Sequence, residues 1–258
     1  MRLATLFIGH PLHYEEVLDS SHLHLLEKQA LHPLSEGMVV QAGYQTAGRG
    51  QAGRYWWASP GMNLLLSVVL YPRWVEAQHA FALSQAVSLA VADVVTTLSG
   101  KQAWVKWPND VYVNNRKIAG ILIHNHLRGS QLEWSVASIG LNVNEDDFPD
   151  DLTNKAISLR QLTSTDHSIE AVTNQLLLTL EQRYLQLKAD TRQVAREWLQ
   201  RLYQYQEWHD YQRLPSGETF HGMIVGVRPN GQLAVQHTDN TVSYFNFKTI
   251  SFQPGYDA

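Results

Sequence analysis

The chain lacks the regular alternation of strand and helix that a parallel sheet requires, and this feature constrains its fold most. The first 150 residues hold several short apolar runs but only one strong helical pattern. In that pattern apolar residues recur at helical spacing from about His79 to Leu98 and stop at Gly100. Strands joined by short turns pair antiparallel. The sequence therefore predicts an α+β fold.

The predicted strands of this region are β-branched or leucine-rich and are bounded by turn residues. Because asparagine tolerates positive φ, Asn114 and Asn115 predict a hairpin turn between two of them. The apolar N-terminus is too short for a targeting segment and is read as an opening strand. The predicted strands are Met1–Gly9, Met38–Tyr44, Asn63–Leu70, Val111–Val113, Lys117–His126 and Trp134–Asn144.

Two helices and then a helix-free region follow. The helical segments are Ile169–Lys188 and Arg192–Tyr205, and residues 210–258 show no helical periodicity. Turn signals in this last region separate three predicted strands, Phe220–Arg228, Gln232–His237 and Thr241–Phe247. This pattern is typical of a small β-barrel-like unit. We therefore expect a first domain over residues 1–208 and a second over residues 209–258.

Composition excludes several classes of function. The net charge of −4 argues against a nucleic-acid-binding protein, and the absence of cysteine excludes disulfides, thiolate metal sites and cysteine nucleophiles. The apolar segment Phe81–Val95 is expected to be too short and too polar to span a membrane, so a cytoplasmic protein is expected. No metal site is predicted from the twelve histidines, and the acidic residues from Glu145 to Asp151 are read as a solvated loop.

A loop rich in glycine and arginine is the most informative segment. Gly48, Gly50 and Gly53 fall within six residues that also contain Arg49, and Arg54 follows directly. From residue 37 to residue 75 there are three arginines and no acidic residue. Exposed backbone N–H groups next to guanidinium groups suit phosphate or carboxylate. This segment alone is equally compatible with an anion site and with a flexible turn that carries solvated arginines.

Two further segments carry polar residues into apolar strands. The first contains Lys106–Asp110 and then Lys117, which opens an apolar strand and either reaches solvent or faces a site. The second contains Gly140 inside a strand, where a glycine indicates close approach of a ligand or of another backbone. Neither segment identifies a ligand when it is taken alone.

Taken together, these segments resemble the biotin–protein ligases. The family's glycine–arginine loop matches Gly48–Trp56, its Lys-Trp-Pro-Asn-Asp motif matches Lys106–Asp110, its Lys-x-Ala-Gly-Ile-Leu motif matches Lys117–Leu122, and its Gly-x-Asn-x-Asn strand matches Gly140–Asn144. Their order and spacing also fit, over roughly residues 15 to 250. The resemblance implies a catalytic domain related to class II aminoacyl-tRNA synthetases and lipoate ligases, followed by a small SH3-like β domain.

The resemblance also implies roles for individual residues. Hydroxyl groups and amides would bind biotin, cations would hold its carboxylate and the phosphates of ATP, and Trp56 would pack on the adenine. The implied biotin-binding residues are Ser20, Ser21, Gln45, Gly48, Arg49, Lys117, Gly120 and Gly140; the implied nucleotide-binding residues are Gln51, Arg54, Trp56, Asn109 and Asn142; and Arg49, Arg54 and Lys117 are the implied catalytic residues.

The implied activity joins biotin to ATP, with Mg2+ bridging phosphates, and transfers biotin to a lysine of a biotin carboxyl carrier protein. The expected protein is a monomer or homodimer that binds no nucleic acid and no membrane, and the short stretch before Asp19 is expected to leave no room for a DNA-binding domain. The chain departs from the family at Ser21, His22 and Gln51, where a threonine, an asparagine and an arginine are usual. A lipoate or octanoate ligase of the same fold is the alternative, and a non-catalytic biotin-binding regulator is a second one.

Overall fold

The computed structural model describes residues 3–252, without the side chain of Ala52, and contains two sheets. The first sheet has seven strands in the order β1-β2-β3-β7-β6-β5-β4. Only its β1–β2 pair is parallel, so the predicted α+β class is confirmed. The strands are β1 Leu12–Leu18, β2 Val39–Gln45, β3 Leu64–Leu70, β4 Trp104–Lys106, β5 Asp110–Val113, β6 Arg116–Arg128 and β7 Gln131–Leu141.

Five α-helices accompany this sheet in the described residues: α1 Ser21–Leu31, α2 Phe81–Ser99, α3 Leu159–Thr163, α4 Ile169–Ala189 and α5 Thr191–Gln200. Helix α2 is the core helix and packs against α4 and α5. It ends where predicted, because Gly100 adopts φ 66° and donates its N–H to the Thr96 carbonyl. The predicted last helix extends too far, since residues 201–205 form turns that bridge to β4 and the C-terminal sheet.

The C-terminal sheet has five strands rather than the three predicted. They are β8 Trp208–Arg213, β9 Thr219–Val227, β10 Leu233–His237, β11 Val242–Phe245 and β12 Ile250–Phe252, in the order β11-β10-β9-β8-β12. Strand β8 is polar and buries only Tyr211, so it lacks the apolar alternation that reveals a strand. All pairs in this sheet are antiparallel.

The C-terminal sheet is attached to the first one beside the Lys106–Asp110 motif. The indole Nε1 of Trp107 donates a 2.9 Å hydrogen bond to the carbonyl of Gly231. The ring of Phe247 also contacts the rings of Trp107 and Phe81. A buried indole N–H needs an acceptor, so this bond fixes the C-terminal sheet next to the motif.

The prediction of an opening strand is wrong over its described residues. Residues 3–11 form turns, and Met1 and Arg2 lie outside the described part. The backbone N–H groups of Leu6, Phe7 and Ile8 donate to the buried carboxylate of Glu181, at 2.7, 2.8 and 2.9 Å. These three charge-assisted hydrogen bonds to one carboxylate hold the segment in turns. The same N–H groups are then not free to pair with a neighbouring strand.

Two further expectations are corrected. One described helical segment, Ala77–Ser99, is by length and composition apolar enough to cross a membrane, so the judgement that it is too short and too polar is wrong. Its apolarity reflects core packing, because 72% of its most apolar window is buried.

The acidic loop is not wholly solvated either. Glu145 is buried and accepts hydrogen bonds from Ser59 and Asn63.

Candidate active site

A cavity of about 550 Å³ lies where strands β2, β6 and β7 meet the glycine–arginine loop and the C-terminal sheet. Gly48 is the one residue of the predicted site that does not line it. Gly48 lies behind the wall instead, where its carbonyl accepts the Trp56 N–H, and a Cβ there would come within 2.5 Å of the Trp56 carbonyl. The predicted residues that line the cavity are Ser20, Ser21, Gln45, Arg49, Gln51, Arg54, Trp56, Asn109, Lys117, Gly120, Gly140 and Asn142.

One end of the cavity is lined by small polar groups. Ser20 caps helix α1, and the next residue, Ser21, donates its backbone N–H to Gln45 Oε1 at 2.6 Å. The Ser21 hydroxyl lies 2.8 Å from that of Ser67, which donates to Ser138 Oγ at 2.7 Å. His22 Nδ1 lies 2.7 Å from the same Ser138 oxygen. This end therefore has a chain of buried hydroxyl groups behind it.

His22 is held in its neutral form. Burial above all, and then the nearby His124 and Arg49, lower the pKa of His22 from 6.5 to about 4. The His124 ring meets the His22 ring edge-on, with centroids 6.5 Å apart. At neutral pH the imidazole therefore offers one donor and one acceptor nitrogen.

The buried neutral His22 predicts a loss of stability in mild acid. The unfolded chain titrates near 6.5 and binds more protons than the folded chain down to about pH 4, so the free energy of unfolding falls as pH drops through this range. From pH 7 to pH 5 the loss is up to about 2 kcal/mol. Urea unfolding of the wild type and of His22→Asn at both pH values measures it. We expect the variant to lose less stability, and an equal loss contradicts the assignment.

The glycine–arginine loop folds back on itself at the cavity mouth. The Gly50 N–H donates to the Arg54 carbonyl at 2.7 Å, and Arg49 bridges to Tyr55. Residues 51–53 form a single 3₁₀ turn between these contacts. This turn brings Arg49, Gln51 and Arg54 to the same cavity. The spacing of the three residues in the sequence does not by itself predict that they meet there.

The floor of the cavity consists of two glycines. Gly120 and Gly140 are cross-strand partners on β6 and β7. A Cβ on Gly140 would lie 2.5 Å from Trp56 Cε2, and one on Gly120 would lie 2.7 Å from Trp56 Cζ3. In the structure the flat ring that lies against these glycines is the indole of Trp56, whose buried Nε1 has no hydrogen-bond partner among residues 3–252. Close approach of a planar group explains why both positions are glycine.

Cations dominate the cavity wall. Its lining includes six basic side chains, Arg49, Arg54, Lys106, Lys117, Lys155 and Lys248, against one acidic side chain, Asp110. Lys117 Nζ lies 2.7 Å from Asp110 Oδ1 and 5.3 Å from the Trp56 ring centroid. We did not predict Asp110 as a site residue, although it ends the Lys106–Asp110 motif. Lys155 and Lys248 carry no signal of this kind in the sequence.

The two amides implied for nucleotide binding already have backbone partners. Asn109 Nδ2 donates to the Ile121 carbonyl at 2.5 Å, and Asn142 Nδ2 donates to the Ile157 carbonyl at 3.1 Å. Their NH2 groups thus brace the strands and loops around the cavity. Each amide keeps a second N–H donor and its acceptor oxygen, and contact with a nucleotide would use one of these groups.

The C-terminal sheet supplies part of the wall. Lys106 Nζ lies 4.6 Å from the Tyr112 ring centroid and 5.2 Å from that of Phe252 in β12. Burial lowers the pKa of Lys106, and nearby Lys117 acts in the same direction, against Asp110. The sequence did not assign residues 214, 248 and 250–252 to the site, because their contact with the cavity arises only from the docking of the two sheets.

The cavity thus has two chemically distinct ends. The hydroxyl and amide end suits a neutral ring with hydrogen-bonding groups, and the cationic mouth suits carboxylate and phosphate. The described residues contain no cluster of three or more potential metal ligands. Asp110 is a single carboxylate beside a phosphate-suited wall, which fits the way proteins hold Mg2+ together with substrate phosphates.

The sequence matches known proteins over most of its length. The sequence model of the biotin/lipoate A/B protein ligase family matches residues 14–144. A bifunctional ligase/repressor BirA of Bacillus spizizenii is 33% identical over 189 residues, which are 70% of this chain and 56% of that protein. The chain thus spans only slightly more than half the length of this relative. A biotin–(acetyl-CoA-carboxylase) ligase of Mycobacterium tuberculosis is 30% identical over 226 residues, which are 86% of this chain and 82% of that protein.

The fold also matches solved structures. The biotin protein ligase of Aquifex aeolicus in complex with biotin and ATP superposes with a TM-score of 0.76 at 22% identity, covering 94% of this chain and 98% of that one. At this identity the match shows the fold alone, and it confirms the predicted α+β architecture with a C-terminal β unit. The family model matches residues 14–144, and the Mycobacterium tuberculosis relative is 30% identical, with 82% of its length covered by this chain. This chain therefore belongs to the biotin/lipoate A/B protein ligase family.

Proposed function

We propose that this protein activates biotin with ATP to biotinyl-5′-AMP and transfers the biotinyl group to a lysine of a biotin carboxyl carrier protein. The observation that carries the proposal is the two-ended cavity, with hydroxyl and amide groups at one end and six basic side chains around it. The names of the relatives support it, since they include a biotin–(acetyl-CoA-carboxylase) ligase.

The polar end favours biotin over lipoate. Gln45 Oε1 accepts the Ser21 N–H, so the Gln45 NH2 group remains to donate into the cavity next to the Ser21 hydroxyl. A cyclic urea has N–H donors beside a carbonyl acceptor and can use both groups. The dithiolane ring of lipoate has neither, and buried polar groups without partners weaken binding.

The cations account for the first step. The biotin carboxylate oxygen attacks the α-phosphorus of ATP, and the bond from that phosphorus to the pyrophosphate oxygen breaks. Both reactants are anions, so their approach is opposed by electrostatic repulsion. In the proposal Arg49, Arg54 and Lys117 offset this repulsion and stabilise the charge that spreads onto the phosphates. Mg2+ would bind the phosphates beside Asp110 and supply further positive charge.

The second step releases AMP. A neutral lysine amine of the carrier attacks the acyl carbon of biotinyl-5′-AMP, an amide bond forms, the acyl–phosphate bond breaks, and the amine loses a proton. The mixed anhydride also reacts with water. A loop that covers the mouth protects it, and the loop at residues 48–54 is placed to do so because Arg49, Gly50, Gln51 and Arg54 line the cavity.

The remaining assignments belong to the same proposal. Residues 1–208 form the catalytic domain, and residues 209–258 form an SH3-like domain that completes the wall. The partner is a carboxylase carrier domain in the cytoplasm, with no role for nucleic acid or a membrane, and the ligase acts as a monomer or homodimer. Ser20, Ser21, Gln45, Gly120 and Gly140 contact biotin; Gln51, Trp56, Asn109 and Asn142 contact the nucleotide.

Substrate-dependent release of pyrophosphate from ATP tests the proposal. With Mg2+ present, we expect biotin to support release and lipoate or octanoate to support little. Release that depends on lipoate alone would assign the chain to the lipoate branch of the family. Tight biotin binding without release would indicate a biotin-binding regulator.

Gln51 predicts a looser hold on the intermediate. This residue lines the cavity with Arg49 and Arg54, and its neutral amide stands where the family pattern described above has an arginine. Gln51→Arg is expected to slow release of biotinyl-5′-AMP by about ten-fold, since a hydrogen bond to a charged group is worth more than one to a neutral group. Chase with unlabelled biotin after adenylate formation measures the rate. Gln182→Arg, at an exposed position of α4, is the control, and equal release from wild type and Gln51→Arg contradicts the prediction.

A further inference from the structure

We propose that His22 is a positioning residue, which acts through Ser138 and Ser67 to make the Ser21 hydroxyl an acceptor at the ring-binding end of the cavity. The inference rests on the proposed function, because the group that Ser21 meets is taken to be a ring N–H of biotin. It extends that function to a residue at which the chain departs from the family pattern.

The four side chains form one continuous chain. Ser21 Oγ and Ser67 Oγ are 2.8 Å apart, Ser67 and Ser138 are 2.7 Å apart, and Ser138 Oγ lies 2.7 Å from His22 Nδ1. All four residues are buried. Ser21, His22 and Ser138 line the cavity, whereas Ser67 lies behind it as the cross-strand partner of Ser138.

Counting hydrogens fixes the direction of the chain. Each serine has a single hydroxyl hydrogen. Ser67 donates its hydrogen to Ser138, so its contact with Ser21 requires Ser21 to be the donor. The inference assigns His22 the tautomer with its hydrogen on Nε2, so that Nδ1, 2.7 Å from Ser138 Oγ, accepts the remaining hydrogen of Ser138. Every hydroxyl group therefore donates toward His22.

The direction determines what the ligand meets. Because the Ser21 hydrogen points away toward Ser67, the Ser21 oxygen turns its lone pairs to the cavity. Beside it, Gln45 presents its NH2 group, since its oxygen holds the Ser21 backbone N–H. The pair is one acceptor next to one donor, which complements an N–H next to a carbonyl in a cyclic urea.

The surroundings of His22 keep the ring neutral, which an acceptor role for Nδ1 requires. The groups that act on the ring electrostatically are His124 and Arg49, and both oppose a positive charge on it. A protonated imidazole would donate from Nδ1, and the chain would then run in reverse, with the Ser21 hydrogen facing the ligand. Burial and these two neighbours keep His22 neutral.

A double-mutant cycle tests the inference. His22→Leu removes the acceptor, Ser67→Ala interrupts the chain, and the double variant does both; isothermal titration gives the biotin dissociation constant of each. Each single change is expected to weaken binding by about ten-fold. The double variant should also lose about ten-fold rather than about a hundred-fold, because both changes break the same chain.

Controls separate positioning from a structural defect. His22→Asn, which offers an oxygen acceptor, should recover most of the affinity that His22→Leu loses, and kcat at saturating biotin should change much less than KM. Ser135→Ala removes another buried hydroxyl from β7, bonded to Asn125 outside the cavity, and should leave the dissociation constant unchanged. If His22→Leu does not fold, Ser138→Ala takes its place in the cycle.

The possible outcomes are distinct. Losses that multiply in the double variant, or no loss in either single variant, overturn the inference while the proposed function stands. Failure of the wild type to bind biotin overturns the proposed function, and the inference with it. Non-multiplying losses with recovery in His22→Asn support the chain.

Discussion

Replacement of Lys117 by alanine is expected to slow adenylate formation by at least about 100-fold, as loss of one well-placed electrostatic donor often does. Lys117 opens β6 at the cavity wall, and its ammonium lies next to the glycine floor and over the Trp56 ring. The substitution also leaves Asp110 without its 2.7 Å partner. The site then has one cation fewer to offset the charge of two anionic substrates.

Biotin-dependent pyrophosphate release in a single turnover measures this effect apart from transfer. Lys101→Ala makes the same charge change at an exposed position outside the cavity and serves as the control. Near-normal pyrophosphate release in Lys117→Ala would show that the lysine is misassigned.

Gly140→Val is expected to reduce adenylate formation by about 100-fold or more, since misplacement by about 1 Å is enough for such a loss. A Cβ at this position would already lie 2.5 Å from the Trp56 ring, and valine adds two methyl groups. Strand β7 tolerates a β-branched residue well, so the folded sheet should persist. What is lost is the flat floor on which a ring can lie.

Gly226→Val is the matched control, because Gly226 is also in a strand but has no neighbouring atom within 4 Å of an added Cβ. Far-UV circular dichroism and thermal unfolding establish that both variants fold. Biotin-dependent pyrophosphate release should then collapse in Gly140→Val alone. Equal activity of the two variants would contradict the role of the glycine floor.

The basic residues that the sequence singled out, Arg49, Arg54 and Lys117, all line the cavity because local structure places them there. The glycine–arginine loop brings Arg49 and Arg54 to one mouth through local turns, and Lys117 opens a strand that periodicity identifies. The hydroxyl chain was not predictable in this way. Ser67 and Ser138 stand in apolar strands far apart in sequence, and only the register of β3 against β7 brings them together.

The missed parts of the fold have a common cause. Strand β1 is largely exposed and polar, and β8 buries only Tyr211, so neither shows the apolar alternation that identifies a strand. The opposite error arose at the N-terminus, where an apolar run that resembles a strand is held in turns by Glu181. In each case a long-range contact overrides the local pattern.

Transfer of biotin to an isolated biotin carboxyl carrier domain is the most direct test of the central claim. The protein is incubated with biotin, ATP, Mg2+ and the carrier, and mass spectrometry follows the intact carrier. We predict a mass increase of one biotinyl group on a single lysine, which requires ATP and is lost in Lys117→Ala. An unmodified carrier would contradict the account, and so would a carrier that gains a lipoyl group in a parallel incubation with lipoate in place of biotin.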